Sequence, residues 1–211
     1  MNGFWARRGK RWFDLLLSIS ILAILSPVLL IVTLLVRFKL GAPVLFTQQR
    51  LGRGAVEFKL YKFRSMTNAI DQDGQLLPDE VRLTRFGKLL RSTSLDELPQ
   101  IINIIKGEMS FIGPRATLLS YRELLLANYP KRFEAMPGIT SLPAIRGRNA
   151  LGWDEKFAMD VEYVESFGFL MDMHICFKTI PVVFGREGIS MQGVATATRY
   201  DQPSNTPNDH L

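Results

Sequence analysis

Two adjacent carboxylates, Asp96 and Glu97, have the setting in this chain that most favours chemistry. The nearest of several upstream cations is Arg91, and the apolar segment 101–105 follows the pair. This order predicts a buried helix that begins at the carboxylates. The N-terminus of a helix presents free N–H groups and a partial positive charge, which together favour phosphate. Carboxylates beside cations at such a position could take part in catalysis on a phosphorylated substrate.

The same residues also fit a structural role. Ser94 and Glu97 have the spacing of a capping box, but Pro99 would then lie inside the helix, where proline forfeits a hydrogen bond. With Asp96 as the N-cap, Pro99 occupies the third helical position, whose N–H has no intrahelical partner. Helix capping and catalysis both remain open from these residues alone.

The elements that must position the pair begin with an apolar stretch at residues 12–36, interrupted by Asp14 and a few hydroxyls. About 20 apolar residues are enough to span a bilayer. However, Ser26-Pro27 lies in the middle, where the proline removes a helical hydrogen bond that the serine could replace. The nine residues between Pro27 and Arg37 rise only about 14 Å, which is half of a bilayer core.

Cations flank both ends of this stretch: Arg7, Arg8, Lys10, Arg11, Arg37 and Lys39. The positive-inside rule therefore does not orient a span. A helix that enters and leaves on the cytoplasmic face places both clusters correctly, and a plain transmembrane anchor is the alternative. A cleaved signal peptide is not expected, because the apolar stretch is too long and no cleavage site follows it.

Composition narrows the possible functions. The 211 residues predict one domain, and residues 1–40 carry six cations and one acid, or +5 of the total charge of +6. This basicity suits anionic lipid headgroups and argues against nucleic acid. A single cysteine, with histidine only at His174 and His210, excludes an intramolecular disulfide, a histidine metal site and a Ser-His-Asp triad. A carboxylate is the nucleophile that remains.

The rest of the chain predicts a β-hairpin, short helices and one longer amphipathic helix. Alternating residues in 43–50 and 56–64 flank a glycine-bearing turn, and a change of alternation at Tyr61 and Phe63 suggests a bulge. Residues 167–184 have the pattern of an amphipathic helix at a membrane surface.

Four motifs make the chain resemble a known family: DELPQ at 96–100, GEMSFIGPR at 107–115, PGIT at 137–140 and GRN at 147–149. Over roughly residues 5–198 the chain resembles the bacterial sugar transferases, specifically the small monotopic phosphoglycosyl transferases.

The resemblance implies an α+β fold that is mostly helical. Its N-terminal re-entrant membrane helix is broken at Ser26-Pro27, and a small β-hairpin and interfacial amphipathic helices surround the active site. Residues 1–40 are expected to form the membrane helix with its basic flanks, 41–199 the catalytic domain and 200–211 a disordered tail.

The resemblance also implies a reaction. Asp96 attacks the sugar-bearing phosphate of a UDP-sugar, expels UMP and carries the phosphosugar, which then passes to polyprenyl (undecaprenyl) phosphate. Glu97, with phosphate oxygens, is expected to bind Mg²⁺. Two alternatives stay open, a direct metal-assisted transfer without a covalent intermediate and a catalytically silent membrane-anchored scaffold.

Eight further residues match family positions and are expected to contact substrate: Lys62, Arg64, Arg91, Arg115, Arg148, Asn149, Asp160 and Tyr163. For Lys62 and Arg64 the alternative is solvated surface charge, and for Asp160 it is a structural ion pair. Ala116 replaces the second proline of the family's P-R-P motif, and residues 141–146 also depart from the usual pattern.

The implied location is the cytoplasmic face of the bacterial inner membrane, with a monotopic attachment. The expected partners are the UDP-sugar, the polyprenyl phosphate and anionic lipids. Glycosyltransferases that act on the product are possible further partners.

Overall fold

The computed structural model of the protein describes residues 5–147 and 151–185. Within these two ranges there are eight α-helices: α1 (Lys10–Leu40), α2 (Asp79–Arg82), α3 (Arg85–Ser92), α4 (Ile101–Lys106), α5 (Arg122–Asn128), α6 (Leu142–Arg146), α7 (Trp153–Ser166) and α8 (Phe169–Gly185). The same ranges contain five strands: β1 (Leu45–Leu51), β2 (Glu57–Phe63), β3 (Ser110–Ile112), β4 (Thr117–Leu118) and β5 (Gly138–Thr140). The predicted α+β, mostly helical class is confirmed. Arg148, Asn149 and the predicted tail at 200–211 lie outside the described residues.

Helix α1 is long and apolar enough to cross a membrane, judged by length and composition. It continues through Pro27 without an interruption of helical structure. The Ser26 hydroxyl donates to the Ala23 carbonyl at 3.2 Å, the acceptor that Pro27 cannot serve because proline has no N–H. The predicted compensation by Ser26 is therefore confirmed, whereas the re-entrant path through the membrane stays a prediction.

The N-terminal part of α1 is bonded to the rest of the fold. The buried Asp14 carboxylate accepts hydrogen bonds from the Ser110 hydroxyl and the Phe111 backbone N–H, both at 3.1 Å. Arg11 donates to the Ile104 and Ile105 carbonyls at the C-terminal end of α4. Helix α1 and helix α4, which follows the carboxylate pair, are thus connected directly.

The predicted hairpin is confirmed, and the predicted bulge is wrong. Strands β1 and β2 pair antiparallel without an offset from one end, Leu45 opposite Phe63, to the other, Leu51 opposite Glu57.

The alternation of apolar residues in β2 changes because other parts of the fold pack on both faces of the strand. Phe58 and Leu60 pack on one face against Ile104, whereas Phe63 packs on the other face against Val36 of α1. An apolar side chain can therefore be buried on either face of β2, and the pattern does not require the extra residue of a bulge.

Two small sheets complete the core. Strand β1 lies between β2 and β4, and β3 pairs parallel with β5. Helices α7 and α8 cover the second sheet, where Tyr163 and Ile175 pack against Ile112. On α8, Leu170 and Phe177 are exposed. The placement of that apolar face against a membrane stays a prediction.

Helix α3 packs so closely on the end of β2 that one position admits only glycine. A Cβ built on Gly87 would lie 1.8 Å from the carbonyl oxygen of Ser65. No flexible side chain is involved, so the backbone itself would have to move.

Replacing Gly87 with alanine should destabilise the protein, although alanine is the better helix former by up to about 1 kcal/mol. We expect a net loss of about 2 kcal/mol in the free energy of unfolding, or a fall of roughly 4–8 °C in Tm. Thermal unfolding of the purified protein in detergent measures this. Gly168→Ala is the matched control because a Cβ there meets no atom within 4 Å. An unchanged or raised Tm for Gly87→Ala would contradict the expectation.

Candidate active site

Asp96 and Glu97 lie in the first turn of a 3-10 helix, Leu95–Gln100, that leads directly into α4. The predicted position of the pair at a helix N-terminus is confirmed. The capping-box interpretation is wrong, because Ser94 adopts a left-handed conformation (φ 55°) and its side chain makes no capping bond. The Glu97 N–H donates to the Ser94 carbonyl at 3.1 Å, which leaves the Glu97 carboxylate free to bond elsewhere.

Glu97 is held by two cations from different parts of the chain. Its Oε1 accepts hydrogen bonds from Lys62 Nζ at 2.5 Å and from Arg115 Nη2 at 3.3 Å. Burial by itself would raise the pKa of this carboxyl, but the charges of Lys62 and Arg115 outweigh burial and lower the pKa to about 2. Glu97 is therefore fully ionised at neutral pH.

Asp96 has the opposite electrostatic character. Its side chain is buried, and within the described part of the chain it makes no ion pair. Burial raises the pKa of Asp96 to about 6 against the opposing charge of Lys62, and the neighbouring Glu97 charge adds to the rise. At neutral pH the Asp96 carboxylate is mostly ionised but poorly solvated, which suits a nucleophile.

The structure brings Arg91 to the same place. Its Nε donates to the Ser65 hydroxyl at 3.0 Å, and its charge lowers the pKa of Asp96. The close contact of α3 at Gly87 is what allows this approach. Of the eight predicted substrate contacts, Lys62, Arg91 and Arg115 thus surround the carboxylate pair.

Arg64 does not lie among these cations, and its predicted phosphate contact requires correction. Its buried guanidinium donates to the carbonyls of Leu40 and Ala42, where α1 ends. Arg64 lies just beyond β2, which ends at Phe63, and its backbone N–H donates to the Val44 carbonyl in the segment that follows α1. The residue caps the C-terminus of α1, where a cation is favoured by the helix dipole.

Asp160 lies in a buried ion pair with Arg132, next to the backbone of Arg115. Its Oδ2 accepts from Arg132 Nη2 at 2.7 Å, and both side chains are almost fully buried. Arg132 also donates to the Arg115 carbonyl at 2.9 Å and to the Thr117 hydroxyl at 3.2 Å. Burial raises the pKa of Asp160 to about 6, although Arg132 opposes the shift. This geometry favours the structural ion pair over the predicted substrate contact.

Tyr163 is a core residue in the structure. It is 1% exposed, and its hydroxyl lies 2.7 Å from Asp172 Oδ1 and 3.2 Å from the Ile112 carbonyl. The i, i+3 spacing with Asp160 places the two residues on one buried side of α7. The predicted substrate contact of Tyr163 is therefore corrected to a packing role, since no surface is left for a ligand.

Two further cations, Arg50 and Lys156, lie near Arg115 and were not predicted as site residues from the sequence. Burial and the charge of Arg115 lower the pKa of Arg50 to about 10, and the same two causes lower the pKa of Lys156. Arg50 also has a buried Nε without a hydrogen-bond partner within the described residues. The hairpin register could have identified Arg50, because it lies opposite Phe58 and therefore shares a face with Lys62.

The carboxylate pair can accommodate Mg²⁺ with help from a substrate. No group of three metal-ligating side chains occurs within residues 5–147 and 151–185. Mg²⁺ sites commonly use one or two carboxylates together with substrate phosphates. Glu97, ionised and at the surface of the site, meets that requirement.

Comparison with known proteins is consistent with this geometry. Residues 5–186 match the sequence profile of the bacterial sugar transferases. The chain is 45% identical to a protein named as the uncharacterized sugar transferase EpsL of Bacillus subtilis, over 90% of this chain and 95% of that protein. It is 38% identical to the exopolysaccharide production protein ExoY of Sinorhizobium fredii, over 82% of this chain and 84% of that protein. It is also 38% identical to the UDP-glucose:undecaprenyl-phosphate glucose-1-phosphate transferase of Klebsiella pneumoniae, over 81% of this chain and 39% of that protein.

Asp160→Asn tests whether Asp160 supports the fold or contacts substrate. Loss of its charge leaves Arg132 buried without a counter-ion, so we expect a loss of about 3 kcal/mol or more in the free energy of unfolding. Activity should fall together with Tm. Glu165→Gln is the control, because it removes an exposed ion pair with Lys131 and should change stability by less than about 1 kcal/mol. Loss of activity at an unchanged Tm would instead make Asp160 a substrate contact.

Proposed function

We propose that this chain, which belongs to the bacterial sugar transferase family, moves a phosphosugar from a UDP-sugar to polyprenyl phosphate. The products are UMP and a polyprenyl diphosphate sugar. The observation that carries the mechanism is the contrast between two adjacent acids. Glu97 is bound by cations and has a pKa of about 2, whereas Asp96 is buried with a pKa of about 6.

The first half of the reaction uses Asp96 as the nucleophile. A carboxylate oxygen of Asp96 attacks the phosphorus that bears the sugar, and the bond from this phosphorus to the UMP oxygen breaks. UMP leaves with the electron pair, and the phosphosugar stays on Asp96 as an acyl phosphate. Since consecutive residues of a 3-10 helix point about 120° apart, Asp96 and Glu97 cannot both attack one phosphorus from the same direction.

The second half regenerates the enzyme. An oxygen of the polyprenyl phosphate attacks the same phosphorus, forms the diphosphate bond and releases Asp96 as a carboxylate. Dividing one difficult transfer into two displacements is the general advantage of covalent catalysis. It also lets the water-soluble donor and the lipid acceptor use the site in turn.

Both steps bring an anion to an anionic phosphate, so positive charge must surround the site. Lys62, Arg91 and Arg115 supply it close to the carboxylates, and Arg50 and Lys156 extend it beyond Arg115. The planar guanidinium of Arg115 can bind two phosphate oxygens at once. Its side chain is 63% exposed, as a residue that meets a substrate from solution should be.

Mg²⁺ would supply further charge neutralisation when it is bound. Glu97 is the residue that would hold it, together with oxygens of the diphosphate. The contacts from Lys62 and Arg115 keep Glu97 ionised and oriented for this purpose.

The proposed setting is the cytoplasmic face of the bacterial inner membrane. Helix α1 would enter and leave on that face, with its basic flanks on anionic headgroups. The product, a polyprenyl diphosphate sugar, is chemically suited to extension by glycosyltransferases at the same surface.

Incubation with the correct UDP-sugar and Mg²⁺, without polyprenyl phosphate, should add one phosphosugar to Asp96 and release UMP stoichiometrically. Intact-protein and peptide mass spectrometry measure the adduct. Asp96→Asn should abolish it, because an amide is a poor nucleophile. Adduct formation should also fall as pH is lowered through about 6, since protonated Asp96 cannot attack.

Glu97→Gln provides the comparison for this experiment. It should form the adduct slowly, and excess Mg²⁺ should partly restore the rate because metal binding is weakened. An adduct on Glu97 would reverse the two roles. Turnover that requires both substrates, with no adduct at any time, would favour direct metal-assisted transfer.

The re-entrant path makes a separate prediction about the ends of α1. Single cysteines at Asn2 and Ala42, placed in a Cys176→Ser background, should both resist an impermeant thiol reagent in intact cells and react after permeabilisation. Pro27→Ala restores a helical hydrogen bond and should increase the spanning population. Labelling of one end alone in the wild-type helix would establish a transmembrane span.

A further inference from the structure

An apolar cavity of about 390 Å³ lies between α1 and the segment that follows the carboxylate pair. Leu22, Leu29 and Thr33 of α1 form one wall, and Leu98 and Pro99 form the opposite wall. Leu98 and Pro99 belong to the same 3-10 helix as Asp96. The cavity therefore begins one residue beyond Glu97.

The lining of the cavity selects an apolar occupant. Its remaining lining residues come from the start of the hairpin, the end of β2 and α4, and include Val44, Phe63 and Ile101. The one hydroxyl in the lining, that of Thr33, donates to the Leu29 carbonyl at 2.7 Å. The volume lies in the range of ligand pockets, but a sugar or a nucleotide would find no polar partner there.

The cavity and the charged site lie on opposite faces of one strand. Lys62 of β2 points to Glu97, whereas the next residue, Phe63, lines the cavity. A molecule with an anionic head and an apolar tail could place the head at the cations and the tail in the cavity. The donor has no such tail, whereas the proposed acceptor does.

We propose that this cavity binds the isoprenoid chain of the acceptor next to its phosphate. The proposal rests on the proposed function, because it names where the second substrate is held. Leu22 and Thr33 are eleven residues apart in one helix, so the α1 wall extends about 16 Å along the axis. This length can accommodate several isoprene units, along a helix whose outward side chains, such as Leu30 and Ile31, are exposed.

The test fills the cavity and compares the result with the same substitution outside it. Leu22 is half-buried and lines the cavity, whereas Leu30 is 61% exposed on the same helix and does not. Leu22→Trp should raise the KM for a long-chain polyprenyl phosphate at least tenfold. The KM for the UDP-sugar and the rate with a single-isoprene phosphate should stay within twofold of wild type. The Tm should stay within a few degrees of wild type. Leu30→Trp should behave as wild type in every assay.

Two kinetic outcomes would overturn the proposal. One is an equal KM for the long-chain acceptor in Leu22→Trp and Leu30→Trp. The other is an equal loss for the long and the single-isoprene acceptors, because the effect would then not depend on the chain.

A binding measurement separates this proposal from the proposed function. The full-length protein in detergent is mixed with equimolar polyprenyl phosphate and phosphatidylglycerol and studied by native mass spectrometry. Wild type and Leu30→Trp should preferentially retain polyprenyl phosphate. Leu22→Trp should lose it. Preferential retention of phosphatidylglycerol would make the cavity a bilayer-lipid site and overturn the proposal. Retention of polyprenyl phosphate by a protein that releases UMP from no UDP-sugar would refute the proposed function and leave the cavity assignment supported.

Discussion

The ion pair between Glu97 and Lys62 is the interaction on which the arrangement of the site depends. It joins β2 to the 3-10 helix across 35 positions of sequence, and Arg115 closes on the same carboxylate oxygen from a third segment. Removing two charges from water is costly unless they are paired in good geometry. Pairing Glu97 in this way keeps it ionised, and the charge that it retains helps to raise the pKa of Asp96 next to it.

Helix α1 is bonded to the rest of the fold at both ends. Arg11 and Asp14 fasten its N-terminal part to α4 and β3, and Arg64 caps its C-terminal end. These polar contacts attach α1 directly to the fold, so that its position does not depend on the flanking loops. The contacts at both ends therefore fix the position of Asp96 relative to α1.

A second ion pair, which is buried, holds the backbone at Arg115. Arg132, paired with Asp160, donates to the carbonyl of Arg115 and so fixes the backbone between β3 and β4 from which the Arg115 side chain projects. An exposed arginine by itself would lose side-chain entropy on binding a phosphate. Fixing its backbone leaves only the side chain to be ordered by the substrate.

The sequence by itself determined the features that depend on neighbouring residues. The hairpin follows from alternation around a glycine turn, the position of Asp96 and Glu97 from the order of cations, acids and apolar residues, and the long helix from composition. Ser26 compensates Pro27 because the two are adjacent. The motif resemblance identified the family, since it rests on residue types in order and needs no coordinates.

Only the tertiary structure decided which charged side chains meet. Lys62 and Arg64 are both cations on one short segment, yet one binds Glu97 and the other caps α1, because Lys62 lies within β2 and Arg64 lies beyond its end, beside the segment that follows α1. Asp160 finds Arg132 across 28 positions, a distance at which sequence pattern carries no information about contact. Burial raises the pKa of both Asp96 and Glu97, and the values separate because Lys62 and Arg115 bind the Glu97 carboxylate. Two identical functional groups, adjacent in sequence, thus acquire different chemistry from the charges that packing places around each.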